Sequence, residues 1–365
     1  VNFCAKLCFK IQFTDICRQA LKADILKDIR ELFPLLEADK SANIIITTHH
    51  KPDADALGSS LALKRFLENQ DFSQVKVIVP TDYGEFLKWM PGEEKVINYE
   101  KNTGSATAQV FAANYIFCLD FNSLKRINEM GKAVAASPGL KVMIDHHQDP
   151  ENFDDFRLWT TQTSSTCQLI GEFIGMWKGK EAIDREIASC LYAGIMTDTG
   201  SFRFDSVTPY THRLVADLIE KGAPNAEIHN RIYDSYSFDR LRFIGHCLHN
   251  KTEIIPELNT AIMSITAAEL KEYNIQTGDT EGLVNFGLSI RGIEFSALFV
   301  DRTKLIKISF RGKGKFPANL FAKENFEGGG HYSAAGGQST ESLEKAIERF
   351  KKVLPDYKEY LIHQK

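Results

Sequence analysis

Residues 43–60 read Asn43-Ile-Ile-Ile-Thr-Thr-His-His-Lys-Pro-Asp-Ala-Asp-Ala-Leu-Gly-Ser-Ser60. The β-branched run Asn43–Thr48 has the composition of a buried strand. It breaks into histidines, a proline and two aspartates. From Gly58 to Asn69 the spacing of Leu61, Leu63, Phe66 and Leu67 predicts a helix. Working outward, Val75–Pro80, Tyr115–Asp120, Lys141–Asp145 and Phe156–Thr161 read as further strands. Ser123–Ala136, Thr166–Trp177 and Ile187–Met196 read as helices. This alternation predicts an α/β fold, a doubly wound, mostly parallel sheet with helices on both faces.

The texture changes towards the C-terminus. Residues 208–250 are helical and polar and include Tyr236-Ser-Phe-Asp-Arg240, which suits a connector. After residue 251, Thr260–Ile265, Ile293–Val300 and Leu305–Phe310 read as strands, with a turn at Asp301-Arg-Thr-Lys304. Gly328-Gly-Gly-His-Tyr-Ser-Ala-Ala-Gly-Gly337 then reads as a loop opening a last helix near Ser339–Val353. The expected organisation is an N-terminal extension (1–20), an α/β domain (21–220), a helical linker (221–250) and a smaller α+β domain (251–360).

Composition narrows the class. The 365 residues suit about two domains at roughly 150 residues each. Hydrophobic content of 43% and charged content of 25% are ordinary for a globular chain and exclude a disordered or collagenous protein. No apolar stretch approaches the ~18 residues of a membrane span, and no secretory signal is evident. The net charge of −4 argues against a protein that coats long DNA. Seven cysteines (Cys4, Cys8, Cys17, Cys118, Cys167, Cys190, Cys247) at irregular spacing suit a reducing, cytoplasmic setting, with Cys118 and Cys190 in the core. One stretch is locally basic. From Arg302 to Lys323 there are seven basic residues and no acidic one, including Arg311-Gly-Lys-Gly-Lys315, a candidate phosphate contact.

Potential metal ligands gather at element ends. The first strand runs into His49, Asp53 and Asp55. The third ends at Asp120, the fourth at Asp145-His146-His147, and the helix from Ile187 runs to Asp198. Ligands of a doubly wound sheet collect at strand carboxyl ends, so a shared site is the economical reading. Carboxylates with imidazoles and no thiolate suit Mn²⁺ or Mg²⁺ rather than structural zinc. Asp53 and Asp55 are close enough to serve two neighbouring ions, with a carboxylate such as Asp120 between them. Taken singly, each aspartate is more simply a cap or turn former. His212, His229, His246, His249 and His363 read as surface or linker residues.

The combined pattern resembles the four motifs of the DHH phosphoesterases: His49-x-x-x-Asp53-x-Asp55, Asp120, Asp145-His146-His147 and Asp198. Gly328-Gly-Gly-His331 with Ala334-Ala-Gly-Gly337, and Arg311 after a strand, resemble that family's associated C-terminal domain. The likeness spans roughly residues 24–355. It implies two Mn²⁺ (or Mg²⁺) ions, one on His49 and Asp53, the other on Asp55, His146 and Asp198, with Asp120 bridging. It implies that His147 faces the substrate phosphate and that Arg311, Gly328, Gly329, Gly330 and His331 hold the substrate. The activity implied is that of a nanoRNase: short oligoribonucleotides, or dinucleotides such as pApA, cut to 5′-mononucleotides by in-line attack of hydroxide. Removal of the 3′-phosphate from adenosine 3′,5′-bisphosphate goes with it. Two alternatives remain open, a pyrophosphatase or exopolyphosphatase and a non-catalytic nucleotide-binding regulator. The Lys-rich, Pro-containing segment after Arg311 departs from the family pattern, with Asn319 a loose counterpart of an asparagine at a helix start.

Overall fold

A computed structural model describes residues 27–362; Cys4, Cys8, Cys17, the 1–20 segment and His363 lie outside it. The first sheet has seven strands: β1 (Lys27–Asp28), β2 (Ile44–Thr48), β3 (Val75–Val79), β4 (Ile97–Asn98), β5 (Tyr115–Leu119), β6 (Leu140–Asp145) and β7 (Phe156–Trp159). Their order is β1-β7-β6-β5-β2-β3-β4, and every pairing is parallel. The helices of this half are α1 (Leu32–Ala38), α2 (Ala54–Asn69), α3 (Thr103–Phe111), α4 (Met130–Ala136), α5 (Thr166–Lys178) and α6 (Arg185–Asp198). The central strands β2 and β5 are buried along their whole length, as strands covered on both faces must be. One face packs Leu57, Leu61 and Phe66 of α2 with Phe173 of α5 and Leu191 of α6. The other packs Val110 of α3 and Met130 and Val134 of α4 on Ile45, Ile116 and Cys118.

Three helices follow, α7 (Pro209–Glu220), α8 (Asn225–Tyr233) and α9 (Phe238–Asn250). The second sheet contains β8 (Thr252–Ile255), β9 (Thr260–Ile265), β10 (Phe295–Asp301), β11 (Ile306–Gly312), β12 (Gly329–His331) and β13 (Ala334–Ser339), in the order β12-β13-β11-β10-β9-β8. Its helices are α10 (Ala267–Glu272), α11 (Leu283–Leu288), α12 (Ala318–Asn325), α13 (Leu343–Val353) and α14 (Lys358–Leu361). The β9–β10 pair is parallel and the others are antiparallel. Phenylalanines 295, 299, 310, 316, 321, 326 and 350 fill one side. Fully burying such a side chain contributes about 1.5–3 kcal/mol. Along β11, Ile306, Ile308 and Phe310 point into this core, and Lys307, Ser309 and Arg311 therefore share the opposite face.

The structure bears out the α/β architecture with its smaller second sheet. It corrects several local expectations. Helix α2 begins at Ala54, not Gly58, because the Asp53 carboxylate accepts the N–H groups of Asp55 and Ala56 at 3.0 Å each and caps the helix early. The helix expected over Ser123–Ala136 is split into a 3₁₀ turn (Leu124–Ile127) and α4, with Asn128 at φ 51° between them. The glycine run does not open a helix. It forms the hairpin β12–β13, and the last helix starts only at Leu343, capped by Ser342. Gly330 sits at φ 144°, with the Ala334 carbonyl 2.6 Å from where a Cβ would stand.

Candidate metal centre

The order β5-β2-β3 places the reversal of the winding between β2 and β5, where open parallel sheets bind ligands. His49 follows β2 and Asp120 follows β5. Asp145 is the last residue of β6, with His146 and His147 after it. Asp53 and Asp55 open α2, and Asp198 is the last residue of α6. All of these sequence-predicted residues converge. Asp120 has φ 63°, a left-handed conformation that costs an aspartate on the order of 1 kcal/mol. Its N–H donates to the Ile144 carbonyl at 3.0 Å, which anchors the residue to β6.

Two ligand groups share Asp120. Its Oδ2 lies 3.4 Å from Nε2 of His49, which is 3.7 Å from Oδ2 of Asp53. Its Oδ1 lies 3.4 Å from Nε2 of His146, which is 3.4 Å from Asp198 and 3.9 Å from Asp55. Within each of the groups His49–Asp53–Asp120 and Asp55–His146–Asp198 the donor atoms lie within 4.8 Å of one another. Most of these separations exceed a hydrogen bond. They suit donors around a cation whose ligand bonds are about 2.1 Å, which sets neighbouring donors roughly 3–3.5 Å apart. Nδ1 of His49 is engaged with the His50 carbonyl at 2.9 Å, which turns Nε2 toward the carboxylates.

Electrostatics point the same way. Burial, then the charges of Asp120 and Asp198, pushes the Asp55 carboxyl well above its usual range. Burial pushes Asp198 up to about 7 against the pull of His146. Burial disfavours the imidazolium of His49, yet the facing carboxylates of Asp120 and Asp53 carry it up to about 10. The same opposition carries His146, facing Asp120 and Asp198, up to about 10. Against the effect of burial, the facing histidines hold Asp53 and Asp120 below the usual carboxylate range, while Asp55, Asp198, His49 and His146 favour their protonated forms, and divalent cations would displace those protons. Hard carboxylates, two imidazoles and no thiolate fit such ions.

Asp145 does not join either group. Its Oδ1 is 2.7 Å from Nδ1 of His147, and its Oδ2 is buried without a partner. This contact orients the His147 ring through Nδ1. The indole N–H of Trp159 donates to the His147 carbonyl at 2.7 Å and fixes the backbone there.

The second half closes over this site. The His331 ring stacks on that of His147 at 4.4 Å between centroids and lies 4.6 Å from that of His146. His331 is the last residue of strand β12. Burial lowers the pKa of the half-buried Arg311 guanidinium, and the negative charges of Asp198 and Asp53 act against that. A bond from Asn319 Nδ2 to Gln148 Oε1 at 2.7 Å ties α12 to the segment after His147. Two other lysines of the basic run have partners elsewhere. Lys313 donates to the carbonyls of Leu288 and Ile293, and Lys323 faces Asp149 at 3.7 Å. Gly328 and Gly330 are needed for close hairpin packing, and only Gly329 is open. His212 and His249 are exposed, while His246 pairs with Glu269 at 2.9 Å and His229 with Ser201 at 3.1 Å.

The helix start at Thr166 was legible in the sequence, but its contact with the metal centre was not. The N–H groups of Thr166 and Cys167 donate to both oxygens of Asp55 at 2.7 and 2.8 Å. The only signal was Thr163-Ser-Ser-Thr-Cys167, a polar tract before an apolar helix, which marks a cap but not what the cap faces. Gly194 was also missed. A Cβ there would stand 2.8 Å from Asp55 Oδ1, and one at Gly58 would stand 2.6 Å from the Cys190 carbonyl, so α2 and α6 cross at backbone contact.

Comparison with known proteins agrees with this geometry. Residues 43–195 match the DHH family, N-terminal domain, and residues 260–357 match the DHHA1 domain. The bifunctional oligoribonuclease and PAP phosphatase NrnA of Thermus thermophilus is 30% identical over 313 residues, covering 84% of this chain and 87% of that one. The protein of the same name from Bacillus subtilis is 26% identical, covering 80% and 88%. The crystal structure of an exopolyphosphatase-related protein from Bacteroides fragilis superposes with a TM-score of 0.83 at 41% identity, covering 88% of this chain and 94% of that one.

Proposed function

Because the chain belongs to the DHH phosphoesterase family, in its nanoRNase type with a DHHA1 domain, we propose that it cuts oligoribonucleotides of a few residues. Dinucleotides such as pApA are included, 5′-mononucleotides are the products, and adenosine 3′,5′-bisphosphate loses its 3′-phosphate at the same site. The carrying observation is Asp120, whose two oxygens face the two ligand groups separately. His49, Asp53 and Asp120 would hold one ion, and Asp55, His146, Asp198 and Asp120 the other. The two imidazoles favour Mn²⁺ over Mg²⁺. When bound, the ions polarise phosphoryl oxygens and make water a usable nucleophile near neutral pH.

The remaining work falls to this chain's side chains. With Asp145 holding Nδ1, the Nε2 of His147 is the atom that meets a phosphoryl oxygen and stabilises the charge growing there. Arg311 reaches the same region from β11 and grips the substrate phosphate. The N–H groups of the edge strand β12, with the open Gly329, offer further donors. His331, stacked on His147, presents an aromatic face that a nucleobase could use in its place. The closeness of the two halves favours short substrates over long DNA. No helix among the described residues is long and apolar enough to cross a membrane. The free, buried Cys118, Cys167, Cys190 and Cys247 suit a cytoplasmic setting.

The test is product analysis. The protein is given a short RNA, adenosine 3′,5′-bisphosphate and pyrophosphate in parallel with Mn²⁺, and products are separated by chromatography. Mononucleotides from the RNA and AMP from the bisphosphate are expected. Phosphate released from pyrophosphate alone would replace this reading with a pyrophosphatase. Binding without product would replace it with a nucleotide-binding regulator.

A further inference from the structure

The start of α5 touches both halves of the metal centre at once. Thr166 is the first residue of this helix and is fully buried. Its N–H donates to Asp55 Oδ2 at 2.7 Å, and the next N–H, of Cys167, donates to Asp55 Oδ1 at 2.8 Å. Its hydroxyl donates to Asp120 Oδ1 at 2.9 Å. One residue therefore fixes the carboxylate shared by the two ligand groups and a carboxylate that belongs to one of them.

The consequences follow from lone-pair counting. A carboxylate has about four acceptor positions on its two oxygens. On Asp120, the Thr166 hydroxyl takes one position on Oδ1, and the other faces Nε2 of His146. Oδ2 is left entirely to the His49 side. Rotating the carboxylate would break the Thr166 bond and leave a buried hydroxyl unpaired, which opposes the rotation. On Asp55, two amides at a helix N-terminus fix both oxygens, and the partial positive charge of that terminus offsets some of the crowding of negative charge.

We infer that Thr166 is a positioning residue of the metal centre. Its hydroxyl holds Asp120 in the orientation in which each oxygen serves a different ion. This rests on the metal-centre part of the proposed function, but not on the identity of the substrate.

The test separates hydroxyl from fold. Thr166→Val keeps the β-branch and the backbone N–H and removes only the donor. Thr166→Ala and Thr166→Ser form a second pair that differs by one oxygen. Mn²⁺ binding to the metal-free proteins is measured by calorimetry, with no substrate present. Thr166→Val and Thr166→Ala should bind about 10–100-fold more weakly than wild type, the usual effect of losing an outer partner of a metal ligand. Thr166→Ser should restore binding close to wild type. At saturating Mn²⁺ the loss should fall on kcat, with KM little changed. Wild-type affinity in Thr166→Val and Thr166→Ala would overturn the inference, and so would a Thr166→Ser protein as weak as Thr166→Ala. A wild-type protein that binds Mn²⁺ but cleaves no nucleotide would defeat the proposed function alone and leave this comparison standing.

Discussion

Replacing Gly194 with alanine should damage both stability and metal binding, although it puts a better helix former into a helix. Gly194 lies in α6, where exchange for alanine would by itself gain about 1 kcal/mol. Its neighbours decide otherwise. The new Cβ would stand 2.3 Å from Cys167 Sγ, 2.8 Å from Asp55 Oδ1 and 2.9 Å from Asp55 Cα. The last of these is backbone of α2, which cannot turn aside as the tip of a side chain could. Overpacking of this kind costs about 1–3 kcal/mol, and here the upper part of that range applies because two helices must separate. The net loss should be about 1–2 kcal/mol, or roughly 2–8 °C in Tm. Gly175 in α5 is the control, since nothing lies within 4 Å of its Cβ position. Gly175→Ala should be neutral or stabilising by about 0.5–1 kcal/mol. Both variants are melted without metal and then titrated with Mn²⁺. Gly194→Ala should also bind Mn²⁺ more weakly, because the group it displaces is Asp55. A Gly194→Ala protein as stable as Gly175→Ala would refute the claim that the helices cross at backbone contact.

Three further outcomes are expected. Asp120→Ala should abolish turnover of short RNA while the circular dichroism spectrum stays that of the wild type, since Asp120 caps no helix; activity near wild type would remove its bridging role. Mn²⁺ should raise Tm, by about 2.7 kcal/mol of stability for each site at 100 times its Kd, and chelation should reverse the gain; an unchanged melting curve would mean that the ligand groups hold no ion. Asp145→Asn should lower kcat by about 10²-fold or more with little effect on KM, because His147 loses the partner that orients it; kinetics like wild type would show that His147 needs no such support.

The parallel sheet was legible because strands such as Ile44–Thr48 and Tyr115–Leu119 are continuous apolar runs with polar residues at their ends. The same punctuation exposed the site, since His49, Asp120 and Asp145-His146-His147 stand where strands stop. The start of α2 was hidden because Ala54 and Ala56 carry too little apolar character to show a helical period before Leu57. The β12–β13 hairpin was hidden for a related reason, as alternation cannot be seen in a run of glycine and alanine. The part played by the α5 amides depends on which atoms meet across 111 residues of chain, and no spacing rule reports that. Lys313 shows the converse. Its place in a basic run suggested a phosphate contact, but two backbone carbonyls claim its ammonium.

On this reading the two ligand groups meeting at Asp120 form one two-ion centre. Metal content settles it most directly, measured by elemental analysis of wild-type protein and Asp120→Ala after equilibration with Mn²⁺ and removal of free ion. Two Mn²⁺ per wild-type chain are predicted, with fewer in Asp120→Ala. A single ion in the wild type, or two ions retained without Asp120, would contradict it.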